Sequence, residues 1–310
     1  ATTHKEQGSD MGLFGGFLGW EAYDERLVNS EMHIGAAGIK VKIDIKDIQA
    51  EHPNTYKITL HNPWETHQVI AISTGGGMIE VIEIDGAKVS LAGDCFVTLF
   101  YSKDKQKLKS YLQQSDILGE VEIHTEEGDF LALKSQSFLD ETLIEEIKTI
   151  EGVSQVKQIK PVLPVLTRTN QTVPFITCDE MLAYNQDKKW SLWELAVRYE
   201  SIRGNITSVE VLSKMNDIRI ILKNAVETGL KGTSFEDRIL GPQSVKFKSM
   251  MEDRKLISGD VLNRIIMYVS AIMEVKSSMG VIVAAPTAGS CGAMPGAVLG
   301  VADTLGLSDE

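Results

Sequence analysis

Cysteine, proline and aromatic residues are all scarce in this sequence of 310 residues. It contains eight prolines and three cysteines (Cys95, Cys178 and Cys291), and aromatic residues make up 6% of the chain. An odd number of widely spaced cysteines excludes a disulfide framework and a zinc site built from Cys-x-x-Cys pairs. Sparse use of cysteine is typical of a reducing compartment, so we expect a cytoplasmic protein.

Positive charge is also in deficit. Lysine and arginine together number 31, against 43 aspartates and glutamates, which gives a formal net charge of −12. Because nucleic acids and anionic membranes repel such a surface, we expect neither as a partner. Hydrophobic residues make up 43% of the chain, as is ordinary for a globular protein. The length corresponds to about two or three domains.

The sequence has no long, uninterrupted apolar run. Residues 277–302 carry no charge, but two prolines and five glycines interrupt them. A membrane-spanning helix needs about 20 consecutive apolar residues, so we do not expect one here. Residues 1–10 are polar and charged and do not resemble a signal peptide. Because the first residue is alanine and not methionine, we expect a processed or cropped start.

Residues 1–92 are predicted to form a β-rich domain. Alternating apolar and charged residues over 41–46 predict a half-buried strand, and 56–60 and 68–73 are further strand candidates. The pair Asp85-Gly86 between two apolar runs predicts a two-residue hairpin turn.

Residues 93–165 are predicted to form a second domain with the order βαββαβ. The predicted strands cover 95–101, 119–124, 130–134 and 153–159, and the predicted helices cover 103–114 and 140–149. This order is typical of the ferredoxin-like fold and of small amino-acid-sensing domains of the ACT type. The segment after the first strand lacks the glycine usual in effector-binding members, so we expect a structural or dimer-forming role.

Residues 173–310 are predicted to be all-helical. Ser191 and Glu194 match a capping box, which predicts a helix that begins immediately after Ser191. Further helices are predicted over 208–228, ending at Gly229, and over 260–276. The chain as a whole is therefore expected to be an α+β multidomain protein.

The glycine-rich stretch 285–300 (APTAGSCGAMPGAVLG) is the most informative for chemistry. Its small side chains let a ligand approach the backbone, and Pro295 suits the first turn of a helix. The N-terminus of such a helix favours a carboxylate, a phosphate or a cluster thiolate. A thiol at Cys291 is then expected to have a lowered pKa and to act as a metal ligand or nucleophile. A helix-packing loop with an inert, buried cysteine is an equally good interpretation of the composition.

Residues 285–292 resemble the signature loop of the α domain in bacterial iron–sulfur L-serine dehydratases, and 175–232 resemble the start of that domain. Residues 13–27 (LFGGFLGWEAYDERL) are similar to the family's β domain, which is of the allosteric-substrate-binding-like type. Further landmarks similar to this β domain lie at 52–55 (HPNT), 73–77 (STGGG) and 82–86 (IEIDG). The resemblance covers nearly the whole chain, in the order β domain, ACT-like domain, α domain.

The resemblance implies a β-elimination that converts L-serine to pyruvate and ammonia. In the family a [4Fe–4S] cluster held by three cysteines acts as a Lewis acid on the serine hydroxyl, and pyridoxal phosphate is not used. We find no glycine-rich phosphate cup paired with a candidate Schiff-base lysine. L-Serine is therefore the expected partner, and we expect a homodimer.

The resemblance also implies roles for residues of this chain. Cys291 is implied as a cluster ligand, and Ser9, Asp10 and His4 lie at or near the position of the catalytic base. The residues implied to bind substrate are Thr287, Ala288, Gly289 and Ser290 of the loop, and His52, Asn54, Gly75 and Gly76 of the β domain.

Two departures from the family pattern leave the function open. Three thiolates are needed, and only Cys291 lies in a matching motif. Gln7 occupies the place of the family's catalytic histidine, and a neutral amide cannot act as a base, although His4 is close in sequence. The sequence is therefore compatible with a cropped piece of an L-serine dehydratase or with a non-catalytic module that binds serine.

Overall fold

A computed structural model describes residues 8–75, 78–114, 122–124, 128–162, 173–235, 241–285 and 287–309 of the chain. The chain divides into two compact units. One, the helical unit, combines Ala1–Ala50 with Asn216–Glu310. The other, the sheet unit, is Glu51–Met215. The domain boundaries expected from the sequence remain predictions. The boundaries of the compact units differ from the predicted domain boundaries, because the N-terminal segment packs with the C-terminal helices.

The sheet unit begins with a four-stranded antiparallel sheet. Its strands are β1 (Thr55–His61), β2 (Thr66–Gly75), β3 (Met78–Ile84) and β4 (Ala87–Leu91), paired in that order. The turn between β3 and β4 places Asp85 at φ 50° and Gly86 at φ 83°. Two successive positive φ angles are typical of the tight turn that suits the twist of a hairpin. The hairpin predicted from Asp85-Gly86 is therefore confirmed.

A second antiparallel sheet follows, with two helices inserted between its strands. The elements are β5 (Phe96–Ser102), α1 (Lys105–Gln114), β6 (Glu122–His124), β7 (Phe130–Ser135), α2 (Glu141–Lys148) and β8 (Val153–Ile159). The strand order is β6-β7-β5-β8. The predicted βαββαβ order is confirmed for the described residues, whereas the assignment to the ACT type stays a prediction.

The two faces of the second sheet belong to different cores. Phe100 and Leu131 pack against helices α1 and α2, where Leu108 and Ile147 are fully buried. The alternate residues, such as Leu99, point the other way and share a core with residues of the first sheet. The members of that shared core are Ile84, Ala87, Leu91, Cys95, Val97, Leu99, Phe130 and Ala132. The first sheet therefore covers the face of the second sheet that the helices leave open.

The remaining described elements are helical. They are α3 (Cys178–Asn185), α4 (Leu192–Gly204), α5 (Ser208–Lys231), α6 (Ser244–Glu252), α7 (Asp260–Lys276) and α8 (Ala293–Leu305), together with α9 (Ser9–Phe17) and α10 (Ser30–Ala36) near the N-terminus. The predicted capping box is present at α4, where the Glu194 carboxylate accepts a hydrogen bond of 2.8 Å from the backbone N–H of Ser191. The antiparallel α+β class with a helical C-terminal part is therefore as expected.

Glycine has a different role in α5 from the one predicted. The helix was expected to end at Gly229, but it continues to Lys231. A Cβ atom added at Gly229 would lie 2.3 Å from the carbonyl oxygen of Ala271 in α7. Gly229 therefore permits a close helix crossing, and the predicted stop was wrong because the glycine serves packing and not termination.

The strand predicted over 41–46 is also absent. Residues 37–54 contain neither helix nor strand, although Lys42 and Asp44 form an ion pair of 3.1 Å. Apolar alternation favours a strand only where a neighbouring strand supplies hydrogen bonds, and no described strand pairs with this segment. Among the described residues, no helix is both long and apolar enough to cross a membrane.

Candidate functional site

The glycine-rich loop lies in the helical unit between α7 and α8. A short 3₁₀ turn, Ala288–Ser290, precedes α8, and the Thr287 N–H donates to Oγ of Ser290 at 3.2 Å. The Ser290 hydroxyl in turn donates to the carbonyl oxygen of Ala285 at 2.9 Å. Ser290 thus closes the loop on itself, while Thr287, Ala288 and Gly289 are exposed. A ligand can therefore reach Thr287, Ala288 and Gly289.

The loop leads directly into the N-terminus of α8. This helix begins at Ala293, with Gly292 as its N-cap and Pro295 in its first turn, as predicted. A glycine N-cap has no side-chain oxygen with which to satisfy the first N–H groups of the helix. The positive end of the helix dipole therefore lies beside the exposed loop residues, where it favours an anionic group such as a carboxylate.

Cys291 does not have the environment that the sequence predicted. Its side chain is fully buried in the core of the helical unit, with Sγ 3.8 Å from Sδ of Met273. Burial raises the pKa of the thiol, and this outweighs the opposite effect of the positive charge of Lys276. The predicted lowered pKa was therefore wrong, because the side chain points into the helical core and not toward the helix N-terminus.

The three cysteines have different surroundings. Cys95 is buried in the core shared by the two sheets, Cys178 is exposed at the start of α3, and Cys291 is buried in the helical unit. In the part of the chain that the structure describes, no group of three or more Cys, His, Asp or Glu side chains could hold a metal ion. A [4Fe–4S] cluster held by three protein thiolates therefore does not fit the described donor set.

Two of the residues expected near the catalytic base lie in the same compact unit as the loop. Ser9 and Asp10 begin α9, and Asp10 is buried, with its Oδ1 accepting from the Met11 N–H at 3.0 Å. Immediately before them, a Cβ atom added at Gly8 would lie 3.3 Å from Sδ of Met279, a residue that follows α7. The start of α9 is therefore in contact with the segment that leads into the loop. His4 lies outside the described residues.

The remaining predicted substrate residues belong to the sheet unit. Nδ1 of His52 accepts from the Asn54 N–H at 3.2 Å, and the Asn54 carbonyl accepts from the Ser73 N–H at 3.0 Å. This turn therefore lies against the end of β2, where Gly75 has φ 96°. Gly76 lies outside the described residues. Because the His52 ring already bonds backbone, a structural turn is as well supported as a binding role, and the roles of His52, Asn54 and Gly75 stay predictions.

Sequence reasoning missed one cluster of charged side chains. The His67 ring lies between two carboxylates, Asp85 at 2.7 Å and Glu65 at 3.0 Å. Glu65 also accepts hydrogen bonds from residues of β8. The groups come from separate elements, so the only local signal was the hairpin turn that contains Asp85.

Known proteins of two kinds are similar to this chain, namely alpha chains and beta chains of serine dehydratases. A family model described as "Serine dehydratase alpha chain" matches residues 180–310. The "Probable L-serine dehydratase, beta chain" of Bacillus subtilis (strain 168) is 34% identical over 105 residues, which are 34% of this chain and 48% of that protein.

Two further relatives agree with these matches. The "Probable L-serine dehydratase, alpha chain" of Bacillus subtilis (strain 168) is 26% identical over 136 residues, covering 44% of this chain and 45% of the relative. The "L-serine dehydratase, beta chain" of Peptoniphilus asaccharolyticus is 31% identical over 114 residues, covering 36% of this chain and 51% of the relative. The chain thus spans about half the length of the curated relatives it matches. The chain therefore contains segments similar to both the beta and the alpha chain of bacterial L-serine dehydratases.

Proposed function

We propose that the chain contributes to the active site of an L-serine dehydratase, which releases pyruvate and ammonia from L-serine. One observation carries this proposal: the start of α9, which holds Ser9 and Asp10, lies close to the segment that leads into the loop. A Cβ atom added at Gly8 would lie 3.3 Å from Sδ of Met279, which precedes the loop. The candidate residues Ser9 and Asp10 and the loop therefore lie in one compact unit.

In this proposal the loop binds the substrate carboxylate. Thr287, Ala288 and Gly289 offer exposed backbone and a hydroxyl group, and the N-terminus of α8 supplies a positive field beside them. Ser290 acts through the loop, because its hydroxyl is already engaged by Ala285 and Thr287. The carboxylate is thereby held at one end of the substrate, leaving the Cα–H bond and the β-hydroxyl to the remaining groups.

The reaction requires a base for the Cα proton and departure of the β-hydroxyl as water. The resulting enamine tautomerises to an imine, and water then hydrolyses it to pyruvate and ammonia. We assign the proton transfer to the segment around Ser9 and Asp10, with His4 as the base, because a glutamine at position 7 cannot accept the proton. Buried Asp10 would orient that segment.

Iron–sulfur dependence is a separate part of the proposal. The loop supplies one thiol, Cys291, which would have to leave the core, and the described residues provide no second and third thiolate beside it. The steps above use only groups of this chain. Independence from pyridoxal phosphate, a homodimer and a cytoplasmic location are proposed on the family resemblance alone.

A non-catalytic serine-binding module is the second candidate function. Burial of Cys291 in the helical core favours it, because a thiol packed against Met273 is not available as a ligand. This alternative keeps the carboxylate-binding loop and removes the elimination chemistry.

Anaerobic reconstitution distinguishes the two candidates. The full chain would be treated with iron and sulfide, and iron content, absorbance near about 400 nm and pyruvate formation would be measured. Iron incorporation with pyruvate formed from L-serine supports the dehydratase, and a colourless protein that binds L-serine in calorimetry supports the module. D-Serine is the control ligand. Failure to bind or convert L-serine would overturn both proposals.

A further inference from the structure

Six side chains join the two sheets of the sheet unit through one polar cluster. Glu65 lies in the turn before β2, His67 is on β2, and Asp85 is in the β3–β4 turn. The groups from the second sheet are Tyr101 on β5 and Gln155 and Lys157 on β8. We call these six residues the intersheet cluster.

The geometry of His67 fixes its protonation state. Nδ1 lies 2.7 Å from Oδ2 of Asp85, and Nε2 lies 3.0 Å from Oε2 of Glu65. Ionised carboxylates only accept hydrogen bonds, and a neutral imidazole has only one N–H to donate. Both contacts therefore form together only when His67 is protonated and positively charged.

Asp85 links His67 to the second sheet. Its Oδ2 also accepts a hydrogen bond of 2.7 Å from the hydroxyl group of Tyr101, and its Oδ1 accepts one of 2.8 Å from the backbone N–H of Gln68. Burial by itself would raise the pKa of Asp85, but the hydrogen bonds from His67, Tyr101 and Gln68 outweigh it and lower the pKa. Burial, together with the bond to Asp85, raises the pKa of Tyr101, so the phenol stays neutral.

Glu65 makes the second link, to β8. Its Oε2 accepts from Nε2 of Gln155 at 2.7 Å and from Nζ of Lys157 at 3.2 Å, in addition to His67. The hydrogen bonds from Gln155, His67 and Lys157 lower the pKa of Glu65 to about 2. The carboxylate is therefore ionised throughout the physiological range.

We propose that the intersheet cluster is a pH-sensitive latch in which protonated His67 holds together Glu65 and Asp85, the two carboxylates that bind the second sheet. With His67 protonated, two positive side chains (His67 and Lys157) balance two carboxylates (Glu65 and Asp85). Deprotonation leaves an excess negative charge and removes one of the two ring hydrogen bonds. Glu65 and Asp85 then lose their common partner, and repulsion between the two carboxylates weakens their bonds to Gln155, Lys157 and Tyr101.

The direction of the pH dependence follows from the pKa of His67. Burial lowers this pKa, but the hydrogen bonds to Asp85 and Glu65 outweigh burial and raise it above the ordinary value. A raised pKa in the folded state means that the stabilisation is fully present below the unfolded value of about 6.5. It is lost as the pH increases through the higher folded value, so the latch opens as the pH increases.

His61 provides a matched control for the experiment. It lies in the same hairpin, is exposed, and its Nδ1 is 2.8 Å from the hydroxyl of Thr66. In the full chain, ring-nitrogen NMR should give a titration midpoint for His67 above the ordinary value of about 6.5. The thermal midpoint of the wild type should fall by about 3–6 °C more between pH 6 and pH 9 than that of His67→Gln. His61→Gln should retain the wild-type difference.

A second variant keeps the proposal testable if His67→Gln fails to fold. Glu65→Gln retains the size of the side chain and removes its charge, so the His67 midpoint should fall. Hydrogen exchange of the β8 amides, corrected for intrinsic rates, should increase in the wild type as the pH increases from 6 to 9. The proposal is overturned if His67 titrates at or below the ordinary value of about 6.5, or if Glu65→Gln leaves its midpoint unchanged. It does not depend on the serine dehydratase proposal.

Discussion

The second sheet and the α7–α8 helix pair are held together in opposite ways. In the sheet, large side chains such as Phe100 and Leu131 are completely buried and fill the space between sheet and helices. In the helix pair, Gly296 and Gly300 remove side chains so that backbone packs on backbone. A Cβ atom at Gly296 would lie 2.7 Å from the backbone nitrogen of Val269. The core of the second sheet therefore depends on large side chains that fill it, whereas the α7–α8 pair depends on glycines that have no side chain.

The largest effect on stability is expected when a large side chain is removed from the core of the second sheet. Phe100→Ala should destabilise the sheet unit by about 4 kcal/mol, because it removes buried surface and leaves a cavity. Denaturant unfolding measures this change. Trp64→Ala is the control: Trp64 is 89% exposed, and its removal should change the free energy of unfolding by less than about 0.5 kcal/mol. An equal decrease in the free energy of unfolding of the two variants would contradict the view that buried side chains stabilise this core.

Adding one methyl group to the helix pair should have the next largest effect. Gly296→Ala should cost about 2–3 kcal/mol, because the new Cβ meets the Val269 backbone, which cannot move aside as a side chain could. Gly12→Ala is the matched control in α9, where nothing lies within 4 Å of the added atom. That variant should be stabilised by about 0.5–1 kcal/mol. Stabilisation of both variants would show that the close approach of α7 and α8 is not needed.

Replacing the buried thiol of Cys291 tests the packing of the core of the helical unit. Cys291→Ser should cost about 2 kcal/mol, because it places a hydroxyl group in an apolar core. Because burial also raises the thiol pKa, Cys291 should react with a thiol reagent at pH 8 far more slowly than exposed Cys178. Rapid labelling of Cys291 in the native chain would instead favour an accessible ligand position.

The smallest effect on stability is expected in the loop itself. Ser290→Ala removes the bonds to Ala285 and Thr287 and should cost about 1 kcal/mol. If the loop binds the substrate carboxylate, the affinity for L-serine should fall about two- to tenfold. Ser277→Ala, which removes a comparable bond to the Met273 carbonyl, is the control and should leave affinity unchanged. Calorimetry of both variants measures this difference.

The sequence predicted the sheets and long helices because their signals are local. Asp85-Gly86 specifies its turn, and the span Asp260–Lys276 was predicted without error from helical periodicity. The strand over 41–46 failed because alternation cannot provide a pairing partner. Gly229 was misread as a stop because its role depends on Ala271, which is distant in sequence.

The candidate site was less predictable for the same reason. The loop and a helix with Pro295 in its first turn were predicted from glycine and proline placement. The direction of the Cys291 side chain is set by packing against Met273, and the charge on His67 by carboxylates on two other elements. Both properties depend on which residues come into contact in three dimensions. The spacing of residues along the chain does not predict these contacts.

Coverage of the second sheet on both faces restricts how two copies of this chain could associate. Helices α1 and α2 occupy one face, and the first sheet occupies the other. Face-to-face stacking of two second sheets would require the first sheet to separate from its shared core. The proposed homodimer must therefore use the strand edges of this sheet or surfaces elsewhere on the chain.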